Sequence, residues 1–101
     1  MRESFGSLIN SPKPVVVDFS AEWCGPCSMM APVLKQVKEK YGDRIRIVKI
    51  DVDRNPEISS RYGIRSVPSL FLFQNGEKRW SGSGLMSAEQ LSSIIAGNTV
   101  V

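Results

Sequence analysis

The chain contains no histidine, and its only two cysteines, Cys24 and Cys27, sit together in the stretch EWCGPCSMM (22–30). Without an imidazole, a cysteine–histidine catalytic couple is excluded. A closed structural zinc site or an iron–sulfur cluster takes four ligands, so only two chains sharing a metal could build one. A purely stapling disulfide between these cysteines would close too small a loop to constrain the unfolded chain much. Long apolar runs are missing as well. Nothing approaches transmembrane length, and no signal-peptide core follows Met1, Arg2 and Glu3. The expectation is a cytoplasmic chain, in a compartment where thiols stay reduced. A basic stripe interleaved with stacking aromatics is absent too, which sets nucleic-acid binding aside. The net charge of +3 is spread among both signs, with Arg44 and Arg46 near Asp43 and Arg61 near Glu57, as on a solvated surface.

What is present suits one domain over residues 1–101, with 42% hydrophobic and 23% charged residues and core enough to fold unaided. VVVDFS (15–20), a β-branched run after the turn at Ser11–Pro14, reads as a central strand covered on both faces. A helix is expected from Cys24, with Met30, Val33, Leu34, Val37 and Tyr41 as its apolar stripe. Lys38, Lys40 and Gly42 mark its end, and Pro32 should kink it. IRIVKIDV (45–52) reads as a second buried strand. Asn55-Pro56-Glu57 gives the N-cap, first turn and acid of a helix that Gly63 ends. SLFLF (69–73), Asn75-Gly76 and EKRWS read as a hairpin with a type I′ turn. Ser87 and Gln90 form the capping box of a last helix whose stripe is Leu91, Ile94 and Ile95. With a short helix ahead of the first strand, the first two strands should be parallel and the hairpin antiparallel.

The cysteine spacing suits dithiol exchange. Cys24 falls where strand gives way to helix, and there unpaired N–H groups and the helix dipole favour a thiolate, the reactive form of a thiol. Cys27 lies one turn later on the same side, close enough to attack a mixed disulfide formed at Cys24. Pro26 needs no N–H partner at an early helix position and stiffens the pair. Cys24 is therefore expected to attack and Cys27 to resolve.

DFSAEWCGPC (18–27), followed by Met29, Ala31 and Pro32, resembles the thioredoxin family. So do KIDVDRNP (49–56), YGIRSVPSL (62–70), FQNGE (73–77) and Gly84, and the likeness runs from about Val15 to Ala96. It implies an α/β, thioredoxin-like fold: a four-stranded mixed β-sheet flanked by helices. With about fourteen residues before Val15, the family's extra N-terminal edge strand should be lacking. It also implies residue roles. Asp18 corresponds to the buried carboxylate behind the pair, with a pKa raised by desolvation, able to accept the proton of Cys27. Lys49 matches the lysine near that carboxylate. Pro68 matches a proline that is cis in the family, setting the backbone of Val67 beside the sulfurs, where a substrate segment can pair as an added strand. Trp23, Gly25, Val67 and Gly84 should form a flat apolar rim around Cys24, whereas Trp80 reads as packing. Ser28 departs from the basic residue common in the family, which bears on thiolate stabilisation and on docking with a reductase.

The resemblance thus implies a monomeric protein-disulfide reductase with a redox disulfide Cys24–Cys27. It would need no cofactor or metal, act on disulfide-containing proteins and receive electrons from a thioredoxin reductase. The pair Gly25-Pro26 between the cysteines points to the reducing end of the family. Two alternatives stand beside it: a binding module with incidental thiols, and a disulfide oxidant or isomerase.

Overall fold

The fold is a computed structural model, described for residues 4–101; residues 1–3, part of the segment read above as lacking a signal core, lie outside the described residues. The elements run α1 (Phe5–Ile9), β1 (Val15–Ser20), α2 (Gly25–Tyr41), β2 (Arg46–Asp51), α3 (Pro56–Arg61), β3 (Ser69–Gln74), β4 (Glu77–Ser83) and α4 (Ala88–Asn98), with a 3₁₀ turn at Gly42–Arg44. The sheet order is β2-β1-β3-β4. β1 pairs parallel with β2 and antiparallel with β3, which pairs antiparallel with β4. A strand, a crossover helix and a parallel neighbour give the first half; a tight hairpin gives the second. Among the described residues no strand precedes α1, and no helix is long and apolar enough to cross a membrane.

All six residues of β1 are buried, as their apolar composition requires of a strand with helices on both faces. Alternate side chains serve two cores. Val16, Leu70 and Leu72 pack with Met30, Leu34 and Val37 of α2 and Leu91 and Ile95 of α4. Val15, Val17, Phe19, Phe71 and Phe73 pack with Phe5 and Ile9 of α1, with Ile58 of α3 and with Tyr62 at the C-cap of α3. Most aromatic rings of the second core meet at tilted or edge angles, as Phe19 and Phe71 do with centroids 5.3 Å apart, while Phe71 and Phe73 stack.

The local signals act as their chemistry dictates. Asn75 and Gly76 both take positive φ, 54° and 81°, as a type I′ turn demands. Ser87 and Gln90 complete both bonds of the capping box. α2 continues through Pro32 to Tyr41. Trp80 packs against the α2/α4 core.

Two expectations change. β2 is not a fully buried strand: it lies at the sheet edge, with Ile50 buried, Ile47 and Val48 half-buried and Lys49 exposed. An apolar run cannot reveal whether a neighbouring strand will cover its outer side. Asn55 does sit at the N-cap of α3, but its side chain makes no cap bond; its Nδ2 instead donates to the carbonyl O of Asp51 at 2.9 Å.

Candidate active site

The site lies at the carboxyl ends of the two parallel strands, where β1 hands over to α2. Cys24 is the N-cap of α2: its backbone is extended (φ −91°, ψ 109°), and its Sγ accepts the N–H of Cys27 at 3.2 Å. A sulfur in the capping position of a helix receives a donor that the helix cannot satisfy internally, which is the electrostatic setting that favours a thiolate. Pro26 stands in the first turn, where its missing N–H costs nothing. Cys24 and Cys27 are joined as a disulfide with their Cα atoms 5.3 Å apart. Both are buried among Ala21, Val52 and Val67, so only a narrow face of the pair meets solvent.

On the open side, Sγ of Cys24 lies 3.5 Å from the carbonyl O of Val67, and the Val67–Pro68 bond is cis. The N–H of Gly84 donates to the carbonyl O of Pro68 at 2.9 Å, which ties the start of the β4–α4 connection to this loop. Gly84 has φ +90°, a conformation that disfavours any side chain there. At Gly25 a Cβ would meet nothing within 4 Å, so the glycine leaves open space rather than relieving a clash. Trp23 is 72% exposed, although its indole is held: Nε1 donates to Oδ2 of Asp53 at 2.8 Å. Together with Val52, Ile64 and Val67 it walls a cleft of about 190 Å³. An exposed indole fixed by a hydrogen bond offers a partner apolar area at little ordering cost.

Behind the pair lies Asp18, fully buried, with neither carboxyl oxygen hydrogen-bonded within the described residues. Val16 packs against α2 through the core shared with Met30. Asp18 is two residues further along the same strand face, and Cys27 is one turn before Met30, which sets the carboxyl beneath the first turn of α2. Burial pushes its pKa from 3.8 up to about 6, while the charge of Lys49 pulls it down. Lys49 is the Cα partner of Asp18 in the parallel register, so both side chains emerge on the same face.

The structure therefore brings Asp18, Lys49, Trp23, Cys24, Gly25, Pro26, Cys27, Val67, Pro68 and Gly84 to one end of the sheet. Sequence reasoning gave no role to Asp53, which anchors Trp23, or to Asp51, whose Oδ1 accepts the N–H groups of Asp53 and Arg54 at 2.9 and 3.1 Å. A polar pair two apart just past a strand is the signal of an Asx turn, and it could have identified Asp51. Ser28 is exposed and spends its hydroxyl on the carbonyl O of Gly25, 2.7 Å away.

Comparison with known proteins agrees with this geometry. The family model described as Thioredoxin matches residues 1–97. A thioredoxin of Alicyclobacillus acidocaldarius subsp. acidocaldarius is 45% identical over 93 residues, covering 92% of this chain and 89% of its own. A thioredoxin of Acidithiobacillus ferridurans is 43% identical over 88 residues, covering 87% and 82%. A thioredoxin-like protein of Synechocystis sp. is 50% identical over 84 residues, covering 83% and 80%. Among solved structures, one described as that of a malarial protein superposes with a TM-score of 0.82 at 26% identity, over 87% of this chain and 99% of its own. A family match over nearly the whole chain, with the cysteine pair in disulfide contact at the start of a helix, settles the assignment: the chain belongs to the thioredoxin family and is a thiol–disulfide oxidoreductase.

Proposed function

We propose that the chain, as a single domain over residues 1–101, reduces protein disulfides with Cys24 as nucleophile and Cys27 as resolving thiol. The observation that carries this reading is the capping position of Cys24, whose Sγ takes the N–H of Cys27 while facing the carbonyl of Val67. In the reduced enzyme the Cys24 thiolate attacks one sulfur of the substrate. The substrate S–S bond breaks, a mixed disulfide forms at Cys24, and the other substrate sulfur leaves as a thiolate that takes a proton from solvent. Cys27 then gives its proton to Asp18 and attacks Sγ of Cys24. The mixed disulfide breaks, the second substrate sulfur leaves as a thiolate that takes a proton from solvent, Asp18 returns its proton to solvent, and two electrons have passed from the pair to the substrate.

Asp18, with a pKa of about 6, is ionised at neutral pH and more basic than an ordinary carboxylate, which suits it to accept the Cys27 proton. Lys49 keeps that pKa from rising further. Trp23, Gly25, Pro26, Val67, Pro68 and Gly84 form the docking surface, with an extended substrate segment pairing along Val67. The reductant is a thioredoxin reductase, and the enzyme works as a cytoplasmic monomer without cofactor or metal, away from nucleic acid and membranes. A pure binding module has no use for a buried, unpartnered carboxylate that costs stability, which favours the enzyme reading.

Insulin reduction driven by a dithiol donor tests this. Turnover is expected in the wild type and none in Cys24→Ser. With Asp18→Asn, mixed disulfides should form normally and resolve slowly; an unchanged resolution rate would remove Asp18 from the mechanism.

A further inference from the structure

Among the described residues β2 and β4 form the two edges of the sheet, and the edges are finished differently. β4 opens with the exposed charges Glu77, Lys78 and Arg79 and breaks register at Leu72/Phe73 of its partner, devices that keep an edge from pairing further. β2 runs beside β1 in unbroken register from Arg46 to Asp51. The N–H groups of Arg46 and Val52 donate to the carbonyl O atoms of Pro14 and Ser20, each at 2.9 Å. The even-numbered residues of β2 therefore face β1, and the odd-numbered ones turn their main-chain groups outward. This outward row is closed at both ends. The carbonyl O of Ile45 accepts Nζ of Lys38 at 2.8 Å, and that of Asp51 accepts Nδ2 of Asn55 at 2.9 Å. Between them, the N–H and C=O groups of Ile47 and Lys49 have no partner among the described residues.

Cations border this open length. Lys38 stands at its start, Lys49 projects from the same face of the strand as Ile47, and Arg46 projects from the opposite face with Val48. The ion pairs within 4 Å among the described residues are Arg54–Glu22 and Arg79–Glu77, so none of the three cations meets a carboxylate at contact distance. The nearby acids, Asp43 and Asp51, stand beyond its two ends, and Oδ1 of Asp51 is taken by the N–H groups of Asp53 and Arg54. Ile47 and Val48 are half-buried, which leaves aliphatic surface on both faces for cross-strand contact. We propose that the outer edge of β2 docks an extended segment of a partner protein, which adds to the sheet as a further strand and carries acid, aliphatic, aliphatic, acid in succession. Its two acids lie opposite Lys49 and Arg46, three residues apart and on opposite faces. Its aliphatic pair lies opposite Val48 and Ile47. The outward main-chain groups hold the strand, and the charges select it. Docking involves no step of thiol exchange, so it does not depend on the reductase reading.

The probe is the peptide acetyl-Thr-Glu-Val-Val-Glu-Thr-amide, whose palindromic order fits either strand direction. It is titrated into the isotope-labelled oxidised protein and followed by nuclear magnetic resonance, beside a counterpart with lysine in place of both glutamates. The acidic peptide is expected to shift the amide signals of Ile47 and Lys49 and slow their hydrogen exchange. It should bind about tenfold more tightly than the basic one, the scale of two exposed ion pairs. Ile47→Pro deletes an outward donor and leaves the bonds to β1 in place, as an edge strand permits. It should weaken the acidic peptide about fivefold, the worth of one main-chain hydrogen bond. Arg46→Glu probes the edge without a backbone change: the two peptides should come to near-equal affinity, with insulin reduction as in the wild type. The proposal is overturned if the shifts fall on β4 or on the rim of Trp23 and Val67, if the wild type binds both peptides alike, or if Arg46→Glu leaves their ratio unchanged. A concentration-dependent dimer in sedimentation that Ile47→Pro abolishes would give the edge to a second copy of the chain, and would overturn it too.

Discussion

The two faces of the sheet are built from one strand, β1, yet they serve opposite ends. On the α1/α3 face its alternate residues are Val15, Val17 and Phe19, which meet Phe5, Tyr62, Phe71 and Phe73 in a wholly apolar, ring-lined core. On the α2/α4 face the same alternation gives Val16, Asp18 and Ser20, so a carboxylate and a hydroxyl follow the aliphatic core toward the sulfurs. The first face is spent on packing. The second buries an unpartnered, titratable carboxyl at Asp18 behind the disulfide. Stability and chemistry are thus divided between odd and even positions of six residues. Each can be perturbed without touching the other.

The largest expected effect comes from breaking the dry face. Phe19 is fully buried, so Phe19→Ala should cost about 3–5 kcal/mol through lost transfer energy and a residual cavity. Denaturant unfolding would read this loss, while the rate of disulfide exchange per folded molecule should change little. A comparable loss of rate would mean that the two faces are not separable.

The opposite sign is expected on the wet face. Folded Asp18 keeps its proton up to about pH 6, whereas the unfolded chain releases it near 3.8, so stability falls as pH rises between these values and stays lower above them. The shift corresponds to about 3 kcal/mol at neutral pH. Asp18→Asn removes the penalty: the variant should be more stable than the wild type by up to about that amount at pH 7–8, with the difference vanishing below pH 4. Equilibrium unfolding at pH 3.5, 5 and 8 checks it. A constant difference at all three values would show that the carboxylate's charge is not the cause.

How far the sequence foretold this division varies by element. β1, the stripe of α2, the Asn75-Gly76 turn and the Ser87–Gln90 box were legible, because each rests on neighbours within one or two turns of chain. The edge position of β2 was not, since burial of Ile47 and Val48 depends on which strands assemble beside them. The pairing of Cys24 with Cys27 and the burial of Asp18 were legible from spacing and resemblance. The Trp23–Asp53 bond was not, because it spans thirty residues and joins two loops that meet only in the folded chain. Gln74 is a like case: a buried amide that donates to the carbonyls of Pro12 and Val100 and accepts the N–H of Val100 reads in sequence as an ordinary polar residue at a strand end.

Two tyrosines sharpen the comparison at a smaller scale. Tyr41, on the α2/α4 face, donates its buried hydroxyl to the carbonyl O of Ser92 at 3.1 Å and so joins the two helices. Tyr62, on the aromatic face, is half-buried and makes no hydroxyl bond among the described residues. Tyr41→Phe should therefore cost about 1 kcal/mol, the net worth of one hydrogen bond plus part of an orphaned acceptor. Tyr62→Phe should be close to neutral. Thermal unfolding of the two variants side by side decides it, and equal losses would show that both faces rely on polar ties.

A further small effect is expected at Lys49, and it isolates electrostatics from packing. The side chain is exposed, so Lys49→Met removes a charge and leaves the apolar stem's contacts largely intact. Because Lys49 lowers the pKa of Asp18, its removal should carry that pKa above about 6, in the direction burial alone dictates. Asp18 would then hold its proton nearer neutrality, and resolution by Cys27 at pH 6–7 should slow while the rate above pH 8 stays as in the wild type. The cost in folding stability should stay below about 1 kcal/mol, since one member of the pair is solvent-screened. Infrared titration of the Asp18 carboxyl in both proteins measures the shift directly. An unmoved midpoint would show that the field of Lys49 is screened before it reaches the buried group, leaving burial as the sole agent that tunes it.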